Sequence, residues 1–205
     1  MNILAIGAHP DDIEFGCGGT LIKYAQTGHK VFLLVLTAGN FGGNPEIRKQ
    51  EQEEARRILG AAEIFWGGFQ DTELEDNREL ICKIEEIVQK VNPHIVFLNA
   101  LDDVHQDHRA ASQAGVSATR YVKEVLFYEV PTTRQFKPDI FVDIKDVLDD
   151  KIDLLEAHSS QVYKTRVDNL SIIESAQSCA TFRGFQGRVK YAEGFESLRI
   201  LREIK

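Results

Sequence analysis

Apolar residues in the first half of the chain fall into short unbroken runs separated by longer stretches of helical period. Ile3–Ile6 is a run that stops at Gly7, Val31–Leu36 a second, Glu63–Trp66 a shorter third and Ile95–Leu98 a fourth. Runs of this length, flanked by turn residues, read as strands buried on both faces. Between them, Thr20–Gln26 reads as a helix ended by Gly28, and Glu46–Leu59 as a helix ended by Gly60. The clearest helix is Asn77–Val91. There Leu80, Ile81, Ile84, Ile87, Val88 and Val91 recur at the helical period, and Asn92-Pro93 ends the pattern. Ala110–Thr119 predicts another helix, Val125–Tyr128 and Ile140–Asp143 two strands, and Val147–His158 a helix. From Arg166 onward the pattern is weak and carries no information about chemistry.

Alternation of apolar strands with helices implies an α/β protein. The expected architecture is a Rossmann-like three-layer fold with a mostly parallel central sheet covered on both faces. Ligands in such sheets bind where loops leave the carboxyl ends of strands. No repeat, low-complexity tract or linker interrupts the pattern. The 205 residues therefore read as one domain, being enough for one well-buried unit and short for two.

Composition narrows the partners. The formal net charge is −8, whereas a surface that coats phosphates needs excess Lys and Arg, so no nucleic acid and no anionic membrane is expected as a partner. Cys17, Cys82 and Cys179 are far apart and odd in number, which reads as reduced thiols. The start, Met-Asn-Ile-Leu-Ala-Ile-Gly, has neither the basic opening nor the apolar run of a secretion signal. No apolar stretch approaches the ~20 residues that span a bilayer. A cytoplasmic location is the expectation.

Candidate chemistry sits at two strand ends. Directly after the first strand comes Ala8-His9-Pro10-Asp11-Asp12. His9 and Asp12 offer two metal ligands from one turn that Pro10 stiffens, and Asp11 is left as a free carboxylate able to act as a general base. The plainer alternative is a turn capping the next helix. Gly16-Cys17-Gly18-Gly19 follows too late after the strand for a dinucleotide loop and reads as room for a helix close to the sheet. After the fourth strand comes Asp102-Asp103-Val104-His105-Gln106-Asp107-His108. One of its histidines would complete a metal site and the other would serve as acid or oxyanion donor. An exposed polar loop is the alternative. Two such loops at two strand carboxyl ends, holding three of the six histidines, favour chemistry.

These two motifs, in this order and separation, resemble the LmbE-like or PIG-L family of de-N-acetylases. That family includes the deacetylases of mycothiol and bacillithiol biosynthesis and N-acetylglucosaminyl-phosphatidylinositol de-N-acetylase. The resemblance extends over nearly the whole chain, through Thr37-x-Gly39, Arg48-x-x-Glu51, Ala157-His158-Ser159-Ser160-Gln161 and Tyr191-Ala192-Glu193. Gln106 stands where proline is frequent, with no ligand atom lost.

The resemblance implies His9, Asp12 and His108 as metal ligands and Asp11 as general base. It implies His105 as oxyanion or leaving-amine partner, oriented by Asp107. Zinc is the implied ion, and ferrous iron also suits a His-Asp-His set. The implied reaction removes the N-acetyl group from a small N-acetylglucosamine-type sugar, and the implied assembly is a homo-oligomer. Arg48 and Arg134 are candidate substrate-binding residues, each with a surface alternative. His158 reads as a helix-end cap, His29 and His94 as turn residues, and Cys17 as a small buried thiol. A non-catalytic metal- or nucleotide-binding module, or a metal-assisted hydrolase of another bond, stand as alternatives.

Overall fold

A computed structural model describes residues 1–201. The strands are β1 (Asn2–Gly7), β2 (Lys30–Thr37), β3 (Glu63–Phe69), β4 (Ile95–Asn99), β5 (Glu124–Tyr128), β6 (Ile140–Asp143) and β7 (Ala192–Arg199). The helices are α1 (Asp12–Gln26), α2 (Pro45–Leu59), α3 (Arg78–Val91), α4 (Gln106–Ala118), α5 (Leu148–Ala157) and α6 (Ile172–Gly187). All strands join one sheet in the order β3-β2-β1-β4-β5-β7-β6. The pairs among β1 to β5 are parallel, and β7 runs antiparallel to both β5 and β6. The sheet is thus mostly parallel, as the strand–helix alternation predicts.

Side-chain alternation splits the core into two. Ile3 and Ala5 of β1, with Val31, Leu33 and Val35 of β2, face a cluster containing Ile13 and Leu21 of α1, Leu59 of α2, Leu154 of α5 and Ala176 of α6. Leu4 and Ile6, with Leu34 and Leu36, face Leu80, Ile84, Ile87 and Val91 of α3 and Ala111 and Ala114 of α4. Period-two strands buried on both faces therefore require the three layers observed.

Two helix starts differ from the expectation, and the chain beyond Arg166 is more regular than its pattern suggests. The first helix begins at Asp12, not Thr20, because the glycines that lower helix propensity are demanded by packing. A Cβ on Gly16 would fall 2.0 Å from the Tyr128 ring. The fourth helix begins at Gln106, not Ala110, so Asp107 and His108 lie in its first turn, capped by His105. Beyond Arg166, α6 opens with a capping box in which Ser171 and Glu174 bond each other's backbone N–H, and β7 completes the sheet between β5 and β6. Among the described residues no helix is long and apolar enough to cross a membrane. The three cysteines are unpaired, Cys17 buried and Cys82 exposed.

Candidate active site

β1 and β4 flank the point where the strand order reverses, and the two sequence motifs leave their carboxyl ends there. The Ala8 N–H donates to Asn99 Oδ1 at the end of β4 (3.3 Å), and the Ala8 carbonyl accepts from the N–H (2.9 Å) and Oγ1 (3.0 Å) of Thr37 at the end of β2. Three strand ends therefore fix the loop that carries His9.

His9, Asp12 and His108 converge. His9 Nδ1 lies 3.2 Å from His108 Nε2 and 3.6 Å from Asp12 Oδ2, and His108 Nε2 lies 3.3 Å from Asp12 Oδ1. Asp12 meets the two imidazoles through different oxygens, and the three residues are a set of nitrogen and oxygen ligands that could hold one divalent cation, since ligand atoms about 2.0–2.1 Å from a tetrahedral ion stand roughly 3.3 Å apart. The remaining ring nitrogens are held from behind. His9 Nε2 lies 3.0 Å from both Asp71 Oδ1 and Asp107 Oδ2, and His108 Nδ1 lies 3.2 Å from Asp103 Oδ2. Carboxylates that grip the far nitrogen of an imidazole fix its orientation and raise its basicity toward a metal. Those carboxylates are themselves fixed. Asp71 accepts the Phe41 N–H (2.7 Å), Asp107 the N–H groups of Thr72 (2.7 Å) and Leu74 (3.2 Å), and Asp103 the His105 N–H (2.8 Å).

Electrostatics point the same way. Burial opposes charge on His9, yet hydrogen bonds to Asp107, Asp12 and Asp71 raise its pKa well above the ordinary imidazole value. His108 is raised to about 9 against the same desolvation, mainly by Asp12 and Asp103. Asp12 is buried, which alone would raise it, but His108 and His9 hold it well below the usual carboxylate range. These directions mark a pocket that favours positive charge, which a divalent cation would also supply. His9, His105 and His108 also bring one nitrogen each within 4.8 Å, as His9, Asp71 and Asp107 bring one ligand atom each. Asp71 and Asp107 meet His9 at Nε2, away from His108, which marks them as orienting groups.

Asp11 stands at the N-cap position of α1 in the left-handed region, with φ 88°, and its side chain makes no capping bond. Such strain is retained where the backbone must present a group in one direction. Desolvation raises the Asp11 carboxyl above its ordinary value, offset in part by Arg48 and His158. His105 stacks on His108 with centroids 4.6 Å apart and meets His9 edge-on at 4.7 Å. Burial first, then His108 and His9, lower the His105 pKa and favour its neutral form. Its Nδ1 accepts the Asp107 N–H (3.2 Å), so in the neutral ring the proton resides on Nε2.

Asp107 and Arg48 are placed otherwise than expected, and Arg134 takes its surface alternative. Asp107 does not orient His105 with its carboxylate. Residues two apart on a helix face away from each other, so in the first turn of α4 the carboxylate swings to His9 while only the backbone N–H reaches His105. Arg48 is neither a surface residue nor free for substrate. It is 5% exposed, and its guanidinium donates to the carbonyls of Gly39 (2.8 Å) and Pro10 (2.7 Å) and to Asp11 Oδ2 (3.4 Å). Arg134 stays on the surface, 57% exposed at its side chain, with Asp102 3.9 Å away.

His158 does end α5, but it is buried against Glu14, 3.6 Å away, not exposed as a simple cap. His29 and His94 are turn residues beside the amino-terminal end of β1. Sequence reasoning gave Asp71 no role. It follows β3 as the motifs follow β1 and β4, and that position at a third strand end is the signal that marks it. Asp103 lay within the second motif without a role.

The fold and this centre define an α/β protein with a cluster of histidines and aspartates, able to hold a metal ion, at the switch point of its sheet. A family model described as PIG-L, GlcNAc-PI de-N-acetylase, matches residues 4–119. The chain is similar to the uncharacterized deacetylase YaiS of Escherichia coli strain K12, with 38% identity covering 70% of this chain and 82% of that one. It is 30% identical to diacetylchitobiose deacetylase of Thermococcus kodakarensis, covering 94% and 81%. A conserved protein of Thermus thermophilus superposes with a TM-score of 0.89 at 31% identity, covering 98% and 96%. The chain belongs to the PIG-L, or LmbE-like, family.

Proposed function

We propose that the chain hydrolyses the acetamide of a small N-acetylglucosamine-type sugar, releasing acetate and the free amine. The observation that carries this reading is the His9–Asp12–His108 triangle beside the uncapped carboxylate of Asp11. Family membership supports de-N-acetylation, and the relative named for diacetylchitobiose supports an N-acetylated amino sugar as substrate. His9, Asp12 and His108 would hold the ion, which we assign as zinc, a His-Asp-His set also suiting ferrous iron. When bound, such an ion polarises the acetyl carbonyl and acidifies water in the site.

Asp11, raised by burial, takes the proton from the attacking water. Arg48 keeps Asp11 and Pro10 in register with Gly39. Nε2–H of neutral His105 donates to the carbonyl oxygen as negative charge develops on it, and stands ready to protonate the departing nitrogen. Asp71, Asp103 and Asp107 move no proton in this scheme and hold the imidazoles in place. One water and one amide yield acetate and an amine.

The substrate is read as a small molecule, with neither nucleic acid nor membrane as partner. The chain acts as one domain over residues 1–205, in the cytoplasm and as a homo-oligomer. Light scattering on purified protein tests the last point. The function is tested by acetate release from N-acetylglucosamine and N,N′-diacetylchitobiose, after removal of metal and reconstitution with zinc or ferrous iron. Metal-dependent acetate release is expected. Acetate release that survives chelation with no metal bound would overturn the role of the triangle.

A further inference from the structure

A hollow of about 130 Å³ opens beside the proposed centre. Asp11, Asp12 and Phe15 line one side, and Gln161, Lys164 and Thr165 line another. The first wall is the opening of α1 and the loop after β1, which is bonded to the ends of β2 and β4. The second belongs to the stretch between α5 and α6, which contains no regular element. Local turns bond the Gln161 N–H to the His158 carbonyl (2.8 Å) and the Lys164 N–H to the Gln161 carbonyl (2.9 Å), and the Val162 carbonyl accepts the Ile172 N–H (2.9 Å), so the remaining question is what holds this stretch against α2.

The buried anchor is Glu51 of α2. Its Oε1 accepts the Ser160 N–H (2.6 Å) and the Ser159 hydroxyl (3.0 Å), and its Oε2 accepts the Ser160 hydroxyl (2.7 Å). Glu51 is only 8% exposed. A carboxylate hidden in this way is costly unless its oxygens are met, and three donors from one two-residue turn meet them. The wall begins at the next residue. Gln161 and Lys164 reach across to the Gly42 carbonyl at 3.4 and 2.6 Å, but these contacts lie at the surface, where water competes.

Resting on the deacetylase reading above, we propose that Glu51 is a positioning residue for substrate. Through Ser159 and Ser160 it holds the Gln161–Thr165 wall in place across the hollow from Asp11. It touches no reacting atom. Its loss therefore weakens substrate binding in ground and transition states alike, which appears in KM more than in kcat.

The test compares wild type, Glu51→Ala, Ser160→Ala and the double variant, all reconstituted with zinc, on N-acetylglucosamine and N,N′-diacetylchitobiose. Glu51→Ala should raise KM about tenfold or more and lower kcat by less than about threefold, the signature of lost uniform binding. Ser160→Ala, which removes one hydroxyl and leaves the backbone donor, should raise KM less. The double variant should match Glu51→Ala alone, because the two groups act through one contact. Amide exchange across Gln161–Thr165 should quicken in Glu51→Ala while α3 keeps its protection.

A residue that only stabilised the fold would lower the melting temperature and leave KM unmoved, and that result overturns the proposal. Should Glu51→Ala fail to fold, Ser160→Ala carries the same test: a raised KM supports the proposal and an unmoved KM overturns it. Wild-type protein that releases no acetate from either sugar overturns the deacetylase reading and this inference together. Wild-type turnover with unchanged KM in the variants overturns this inference alone.

Discussion

Helices α2 and α3 pack on opposite faces of the sheet and bury residues at the same helical spacing, but what they bury differs. α3 hides Leu80, Ile84, Ile87 and Val91. α2 hides Arg48, Glu51 and Gln52 together with Ala55 and Leu59. The apolar stripe of α3 is satisfied by any matching apolar surface, and it fixes how layers stack. The polar stripe of α2 is satisfied only by particular atoms. Arg48 meets Pro10, Gly39 and Asp11, Glu51 meets Ser159 and Ser160, and Gln52 Nε2 donates to Glu14 Oε1 at 2.6 Å. Each of these bonds ends on a segment that borders the proposed centre. Buried polar contacts contribute little net stability, but they penalise misplacement heavily. α3 thus sets the fold and α2 sets the position of the chemistry.

Substitutions on the two helices should separate these roles. The largest effect is expected from Ile84→Ala, which should cost about 2–5 kcal/mol in a denaturant titration through the cavity it leaves. The folded enzyme should keep its kcat/KM, and a parallel loss of turnover would break the division between the helices. Arg48→Ala should lower kcat about 10²-fold, the scale of a displaced catalytic group, with metal content retained. Arg48→Lys should fail to rescue it, since an ammonium cannot span two carbonyls and a carboxylate as a planar fork does. Metal loss in Arg48→Ala would place the arginine in the ion site instead.

A smaller effect concerns His158. Burial opposes its charge, but Glu14, Asp11 and Glu51 raise its pKa above the ordinary value. A raised folded-state pKa gives stability that is fully present below about pH 6.5, the unfolded value, and is lost as pH rises through the folded value. The melting-temperature advantage of zinc-loaded wild type over His158→Gln should therefore shrink as pH rises from that point. An advantage that grows with pH would contradict the assignment. The smallest effect is expected at Arg134, whose replacement by Ala should change stability by less than about 0.5 kcal/mol, as for an exposed side chain. Its steady-state kinetics should be unaltered, and a clear rise in KM would return it to the substrate site.

The same contrast explains what was legible in the sequence. α3 announces itself because burial of Leu and Ile writes a period into the chain. The strands do so by unbroken apolar runs, and the two histidine motifs by falling at the ends of two of them. The start of α1 was hidden because Gly16, Gly18 and Gly19 look like a break, although a Cβ would overlap the Tyr128 ring at Gly16 and press on Ile144, 3.0 Å away, at Gly19. Tertiary packing overrode propensity there. α2 was legible as a helix, but the burial of Arg48, read as a substrate contact or a surface residue, and of Glu51 was not, since only tertiary partners tell a buried ion from a surface one. α6 buries Ala176, Ala180 and Gly184 among its residues, a face of small side chains that leaves little hydrophobic pattern, although the Ser171–Glu174 box was readable. Asp71 is one of four acidic residues between β3 and α3, and only the sheet brings it to His9.

The most direct test is metal content and acetate release measured side by side for Asp11→Asn and Asp12→Asn. These neighbours are chemically alike, yet Asp12 lies within the triangle with His9 and His108 while Asp11 stands outside it in a strained backbone conformation. Asp11→Asn should keep one divalent ion per chain and lose about 10²- to 10⁴-fold in rate, the range for a missing general base. Asp12→Asn should lose the ion and recover part of its activity when excess metal is added. If Asp11→Asn loses the metal while Asp12→Asn keeps it, the two roles are reversed, and if both keep metal and near-normal rates, the chemistry lies elsewhere in the molecule.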